Sequence, residues 1–118
     1  MTPRQQQELF LQDVAKLIVF VFSTGFTATG GELYRPDEMQ KIYLDRGLSN
    51  VKSGGYHQQR LAIDLNIFKD GIYLDKKSDK QTLQKIGDYW CSLNSLNRWG
   101  GNFSSIYDPY HFERAIKQ

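Results

Sequence analysis

The strongest constraint on the fold of this chain is the alternation Leu61-Ala62-Ile63-Asp64-Leu65-Asn66-Ile67-Phe68. Successive side chains of a strand point to opposite faces. Leu61, Ile63, Leu65 and Ile67 therefore form one apolar row, while Ala62, Asp64 and Asn66 face the other way. A carboxylate is thus held on the polar face of a strand, with a small alanine beside it leaving space. Lys69-Asp70-Gly71 reads as a turn and Ile72-Tyr73-Leu74 as a short partner strand. Phe26 to Thr29 also alternates, just before Gly30-Gly31, and a last strand is expected from His111 to Ala115.

Helical spacing accounts for most of the rest. Thr2 is placed to cap a helix that starts with Pro3. Leu9, Phe10, Val14, Leu17 and Ile18 recur on one side of it, from about residue 3 to about residue 22, and Gly25 ends it. A second helix is expected from Met39 to about Asp45, closed by Gly47. A third is expected over about 79 to 96, capped by Ser78 or Asp79, with Leu83, Ile86, Tyr89, Trp90 and Leu93 inward. Trp99 to Phe103 reads as a loop or strand entry. The sum is an α+β domain, a mixed helix and antiparallel-sheet unit, with residues 1–118 forming one domain.

Composition narrows the function. Hydrophobic content of 40% and aromatic content of 14% are those of a globular chain. A formal net charge of +2 makes no case for nucleic acid, though it mildly favours an anionic polymer such as a cell wall. The single cysteine, Cys91, excludes an internal disulfide and reads as a buried structural thiol. The apolar run from Val14 to Phe22 is interrupted by Lys16 and is roughly half the length of a membrane span, so no membrane insertion is expected. The polar N-terminus shows no signal peptide.

The chain has two histidines, and each stands near a carboxylate. His57 precedes Asp64, and Asp108 precedes His111 in Asp108-Pro109-Tyr110-His111. Two imidazoles and one carboxylate form a catalytic zinc set with an open position for water. His57, Asp64 and His111 are the candidate ligands, for one zinc per chain. A proline at the second position of a tight turn brings the first and fourth side chains together. Asp108 can then serve as general base while His111 holds the metal. Arg35 is the candidate for the oxyanion or a substrate carboxylate, because its charge is permanent and its fork planar. Each piece has a plainer reading: an Asp-Pro turn, a surface arginine, a packing anchor at Trp99.

Together these residues resemble the zinc D-Ala-D-Ala carboxypeptidase and endolysin peptidase family M15, whose first signature is Ser-x-His-x-x-Gly-x-Ala-x-Asp. His57, Ala62 and Asp64 fall on that pattern, and Asp108 and His111 fall on the second, an acidic residue three before a histidine. Tyr34-Arg35-Pro36 is similar to the family's Tyr-Arg segment, whose arginine contacts substrate or transition state. The resemblance spans roughly residues 25 to 115 and is greatest to the endolysin branch of L-alanyl-D-glutamate peptidases, which use Asp at the base position. Two positions depart from it. Arg60 stands where the family has Gly, and Gly55 where it has Ser, with Ser53 nearby.

The resemblance implies a small antiparallel sheet flanked by helices, hedgehog/DD-peptidase-like. It implies a zinc-dependent peptidoglycan peptidase that cuts the wall's stem peptide, at L-Ala–D-Glu by the endolysin branch. The alternatives are a D,D-carboxypeptidase or dipeptidase on D-Ala-D-Ala, and a non-catalytic zinc- or wall-binding domain. Arg60, Tyr56, Ser53 and Trp99 are the candidate substrate contacts. A monomer is expected, made in a host cytoplasm and acting on the wall after release, as phage or prophage lysins do.

Overall fold

The computed structural model describes residues 1–34, 36, 38, 41, 55–57 and 59–116. The first helix, α1, runs Pro3–Ser23. Its start follows the sequence: Thr2 accepts from the Gln5 amide at 3.2 Å, and the Gln5 side chain accepts from the Thr2 amide at 2.8 Å. Gly25, at φ +92°, takes the chain out of the helix. Strand β1 follows at Thr27–Gly30, one residue later than the alternation suggests.

Strand β2, Ala62–Lys69, is the sheet's centre. It pairs antiparallel with β1 on one side, and Asp70 and Gly71 turn it into β3, Ile72–Tyr73. Both turn residues have positive φ, 51° and 78°, the geometry whose twist suits a two-residue hairpin. A single helical turn at Lys77–Asp79 leads into α2, Lys80–Leu93. The Asp79 carboxylate does not cap α2 and accepts from the Lys76 amide instead. α2 ends three residues short of the sequence expectation because Asn94 turns extended. The chain then enters β4, Asn97–Trp99, and after a turn at Gly100–Asn102 reaches β5, His111–Arg114. Strand order is β1-β2-β5-β4, all antiparallel, with β3 beside β2. The expected helix at 39–45 lies largely outside the described residues.

One face of this sheet carries α1 and α2. Phe10, Val14, Leu17 and Val21 of α1 meet Leu83, Ile86 and Trp90 of α2 and Leu65, Ile67 and Phe112 of the sheet. The alternation of β2 holds at Leu65 and Ile67, while Ala62 is also buried and Ile63 only partly so. Two polar ties cross this core. Asn97 donates to Asp13 of α1 at 3.1 Å, and Trp90 donates its indole N–H to the carbonyls of Arg98 and Glu113. Cys91 is half-buried, with its thiol pKa pushed up by burial. Among the described residues no helix is long and apolar enough to cross a membrane.

Candidate metal centre

The opposite face of β2 and β5 holds the polar site, and the strand register builds it. Asp64 sits directly across from His111, and Ala62 across from Glu113. On the far side of β5, Arg98 is across from Glu113. His57 arrives from the turn before β2, where the Arg60 amide donates to the His57 carbonyl at 3.2 Å. The segment after β1 closes over Asp64. The Gly31 amide donates to the Asp64 carbonyl and the Asp64 amide to the Glu32 carbonyl, both at 2.8 Å. Any Cβ at position 31 would lie 2.9 Å from the Asp64 Cβ, so only glycine lets the chain pass this close.

Both rings turn one nitrogen toward the same oxygen. His57 Nε2 is 3.3 Å and His111 Nδ1 3.5 Å from Asp64 Oδ1. Two ligands about 2.1 Å from a tetrahedral ion stand roughly 3.4 Å apart, so these separations suit one small cation. The ligand atoms of His57, Asp64 and His111 all lie within 4.8 Å of one another. The other ring nitrogens fix the tautomers. His57 Nδ1 donates to the Leu33 carbonyl at 3.1 Å, and His111 Nε2 donates to Glu113 Oε1 at 2.6 Å. A carbonyl or carboxylate only accepts, so the nitrogens facing Asp64 are those free to bind a metal. His57 Nε2 is buried with no hydrogen-bond partner, an expensive arrangement that a bound cation would relieve. The donor set therefore fits a metal ion.

Charge is concentrated here. Burial alone would raise the pKa of Asp64, but the imidazoles of His111 and His57 beside it bring it down to about 2. Burial alone would lower that of His111, but its bonds to Asp64 and Glu113 raise it to about 9. In the metal-free protein a proton on His111 Nδ1 thus stands where a cation would.

Asp108 precedes His111 by one tight turn, with the His111 amide donating to the Asp108 carbonyl at 3.1 Å. Pro109 occupies the second position, as the sequence predicts. Gly100 lets this turn approach, since a Cβ there would lie 2.1 Å from the Asp108 carbonyl oxygen. The Asp108 carboxylate is close enough to help raise the pKa of His111 and of Tyr110. Burial and the charges of Asp108 and Asp64 push the Tyr110 hydroxyl up to about 12, so it remains a proton donor at the rim.

The candidate substrate residues divide. Arg60 is exposed, with its guanidinium stacked 4.3 Å over the Tyr34 ring. Its φ is +60°, which explains the glycine of the family signature: the position needs a left-handed residue, and here arginine adopts that conformation. Trp99 does not face a substrate. It is 1% exposed and donates its indole N–H to the Pro109 carbonyl at 2.8 Å, so it supports the Asp108 turn from beneath. Tyr56 is partly buried, packs on the core and donates its hydroxyl to the Ile116 carbonyl at 3.0 Å. Arg35 and Ser53 lie outside the described residues.

Sequence reasoning missed Glu113, buried at 4% exposure against His111, and Arg98, which grips it. The pattern His111-Phe112-Glu113 held the signal, because residues i and i+2 of a strand share a face.

The family described as D-alanyl-D-alanine carboxypeptidase, peptidase M15, matches residues 49–114. No curated protein sequence matches the chain. Among solved structures, the L-Ala D-Glu endopeptidase ChiX of Serratia marcescens is similar with a TM-score of 0.68 at 16% identity, over 88% of this chain and 79% of that one. The vancomycin-resistance D,D-pentapeptidase VanY of a VanB-type cassette, a mutant in complex with Zn(II), gives 0.62 at 16% identity, over 91% and 71%.

Proposed function

This chain belongs to the M15 peptidase family, and from that premise we propose that it is a zinc-dependent peptidase of bacterial peptidoglycan, cutting between L-Ala and D-Glu of the stem peptide. The observation that carries the reading is the convergence of His57 Nε2 and His111 Nδ1 on Asp64 Oδ1, with Asp108 one turn away. A zinc ion held there would supply Lewis acidity and would lower the pKa of water toward neutrality. The chain's own groups do the rest. His57, Asp64 and His111 would hold the ion, each aligned by its own strand or turn. Asp108 takes the proton of the attacking water and hands it to the leaving amine. Arg35 meets the negative charge that develops on the scissile carbonyl oxygen, or a carboxylate flanking the bond. The protein would act on the wall as an endolysin, after release from the cytoplasm where it is made.

The bond is assigned by the resemblance to L-alanyl-D-glutamate peptidases and by the likeness in fold to ChiX, an L-Ala D-Glu endopeptidase. Cleavage at D-Ala-D-Ala is the competing reading, favoured by the description of the matching family. Incubation with purified peptidoglycan and mass spectrometry of the products separates them. A new D-Glu amino terminus, with L-Ala left on the sugar, is expected. Release of free D-Ala without that terminus would reverse the assignment.

A further inference from the structure

Glu113 splits its carboxylate between two partners. Oε1 accepts from His111 Nε2 at 2.6 Å, and Oε2 accepts from Arg98 Nε at 2.9 Å and from Arg98 Nη2. The carboxylate is buried, with 5% of the Glu113 side chain exposed. Both of its oxygens accept from basic side chains, His111 on one and Arg98 on the other. A buried anion is stable only when its partners are complete. Here the backbone places them: Arg98, Glu113 and Ala62 form one row across β4, β5 and β2, and Asp64 and His111 the next. Directly opposed residues stand about 5 Å apart at Cβ, so the methyl of fully buried Ala62 leaves the Glu113 carboxylate room to reach His111.

Arg98 reaches Glu113 from the surface, its side chain 55% exposed. Its guanidinium carbon lies 5.9 Å from the Tyr56 ring centre and 5.6 Å from that of Phe103. Trp90 ties the carbonyls of Arg98 and Glu113 to the core from below. The chain Arg98–Glu113–His111 therefore runs from the protein surface to the nitrogen that faces Asp64.

We propose that Glu113, gripped by Arg98, is a positioning residue that locks the His111 ring and tautomer so that Nδ1 is presented to the metal. Glu113 meets neither metal nor substrate and acts through His111. The inference rests on the zinc reading above and adds to it a determinant outside the ligand set. A hydrogen-bonded carboxylate on a ligating histidine typically contributes a factor of roughly 10 to 100 in metal affinity.

Zinc affinity of the full chain, measured by competition with a chromophoric chelator, tests this beside thermal unfolding in excess chelator. Glu113→Ala is expected to bind zinc roughly 10- to 100-fold more weakly than wild type. Glu113→Gln, which keeps an acceptor for the ring N–H but loses the charge, should fall between the two. Arg98→Ala should weaken binding less than Glu113→Ala does. A purely structural role would lower the unfolding midpoint in chelator and leave the affinity of the folded protein unchanged, and that outcome overturns the proposal. Should Glu113→Ala not fold, Glu113→Gln decides: weaker binding supports the role, wild-type affinity overturns it. Failure of the wild type to bind zinc would instead sink the zinc reading, and this inference with it.

Discussion

The two faces of the sheet solve opposite problems with the same strands. Beneath it, Leu17, Val21, Trp90 and Phe112 are fully buried among apolar neighbours. These apolar side chains need no polar partner, and the gain comes from removing carbon from water. Above it, Asp64, His111 and Glu113 are drawn out of water although burial penalises their charged forms, and His57 is buried beside them. They are held by one another, and His57 Nε2 is left without a hydrogen bond. The first face makes the protein fold. The second spends part of that stability on a cluster that is complete only with a cation. Substitutions on the two faces should therefore fail differently.

The largest separation is expected between His57→Ala and Trp90→Ala. His57→Ala should remove zinc binding and activity while the metal-free chain still unfolds cooperatively. Trp90→Ala should cost about 3–5 kcal/mol of stability, the typical loss for a large buried aromatic. It also strips the indole N–H from the Arg98 and Glu113 carbonyls. Circular dichroism melts and metal analysis of both variants check this. A histidine variant that unfolds as readily as the tryptophan variant would erase the distinction between the faces.

Within the polar face, Asp108→Asn should keep zinc and lose roughly 10²- to 10⁴-fold in turnover, the usual loss for a general base. Elemental analysis beside kcat on peptidoglycan fragments tests it. Zinc content falling in step with kcat would make Asp108 a ligand.

The pH dependence of the metal-free protein sharpens the contrast further. The pKa of His111 is raised from 6.5 to about 9. Its protonated form therefore stabilises the fold fully below about pH 6.5, and that contribution is lost as pH rises through 9. Asp64 runs the other way. Lowered from 3.8 to about 2, its contribution is present above pH 3.8 and lost as pH falls through 2. In chelator the unfolding midpoint should thus decline between pH 6.5 and 9. With zinc the trend should reverse, because metal binding requires His111 to release its proton. Equal slopes with and without zinc would place the titration elsewhere.

The smallest effect expected is that of Arg60→Gly. Glycine relieves the left-handed φ of +60°, a gain of about 1–2 kcal/mol, and gives up the stacking on Tyr34 and some unfolded-state rigidity. Net stability should change little, and any loss of activity at unchanged zinc content would reveal a substrate contact. Identical kcat and KM would leave Arg60 a surface residue.

The site was more legible in the sequence than its support. His57, Asp64, Asp108 and His111 stand at spacings set by a strand and a tight turn, and local geometry decides where such side chains point. The strand core of Ala62 to Lys69 was equally local. Trp99 misled because a tryptophan before two glycines reads alike as a rim aromatic or a buried anchor, and only packing separates them. α2 overran because Asn94 to Leu96 carries no strong breaker in sequence, while β4 needs those residues to turn.

What the sequence by itself determined is which residues can hold a metal, for ligand chemistry belongs to side-chain type and short spacing. It also determined the apolar rows that bury one face of each element. Only the tertiary structure decided that Arg98, fifteen residues before Glu113, would meet it across β4 and β5. The same folding set the Leu33 carbonyl against His57, twenty-four residues away. Such partners are fixed by strand register, and register is a property of the assembled sheet, settled by which face each strand buries.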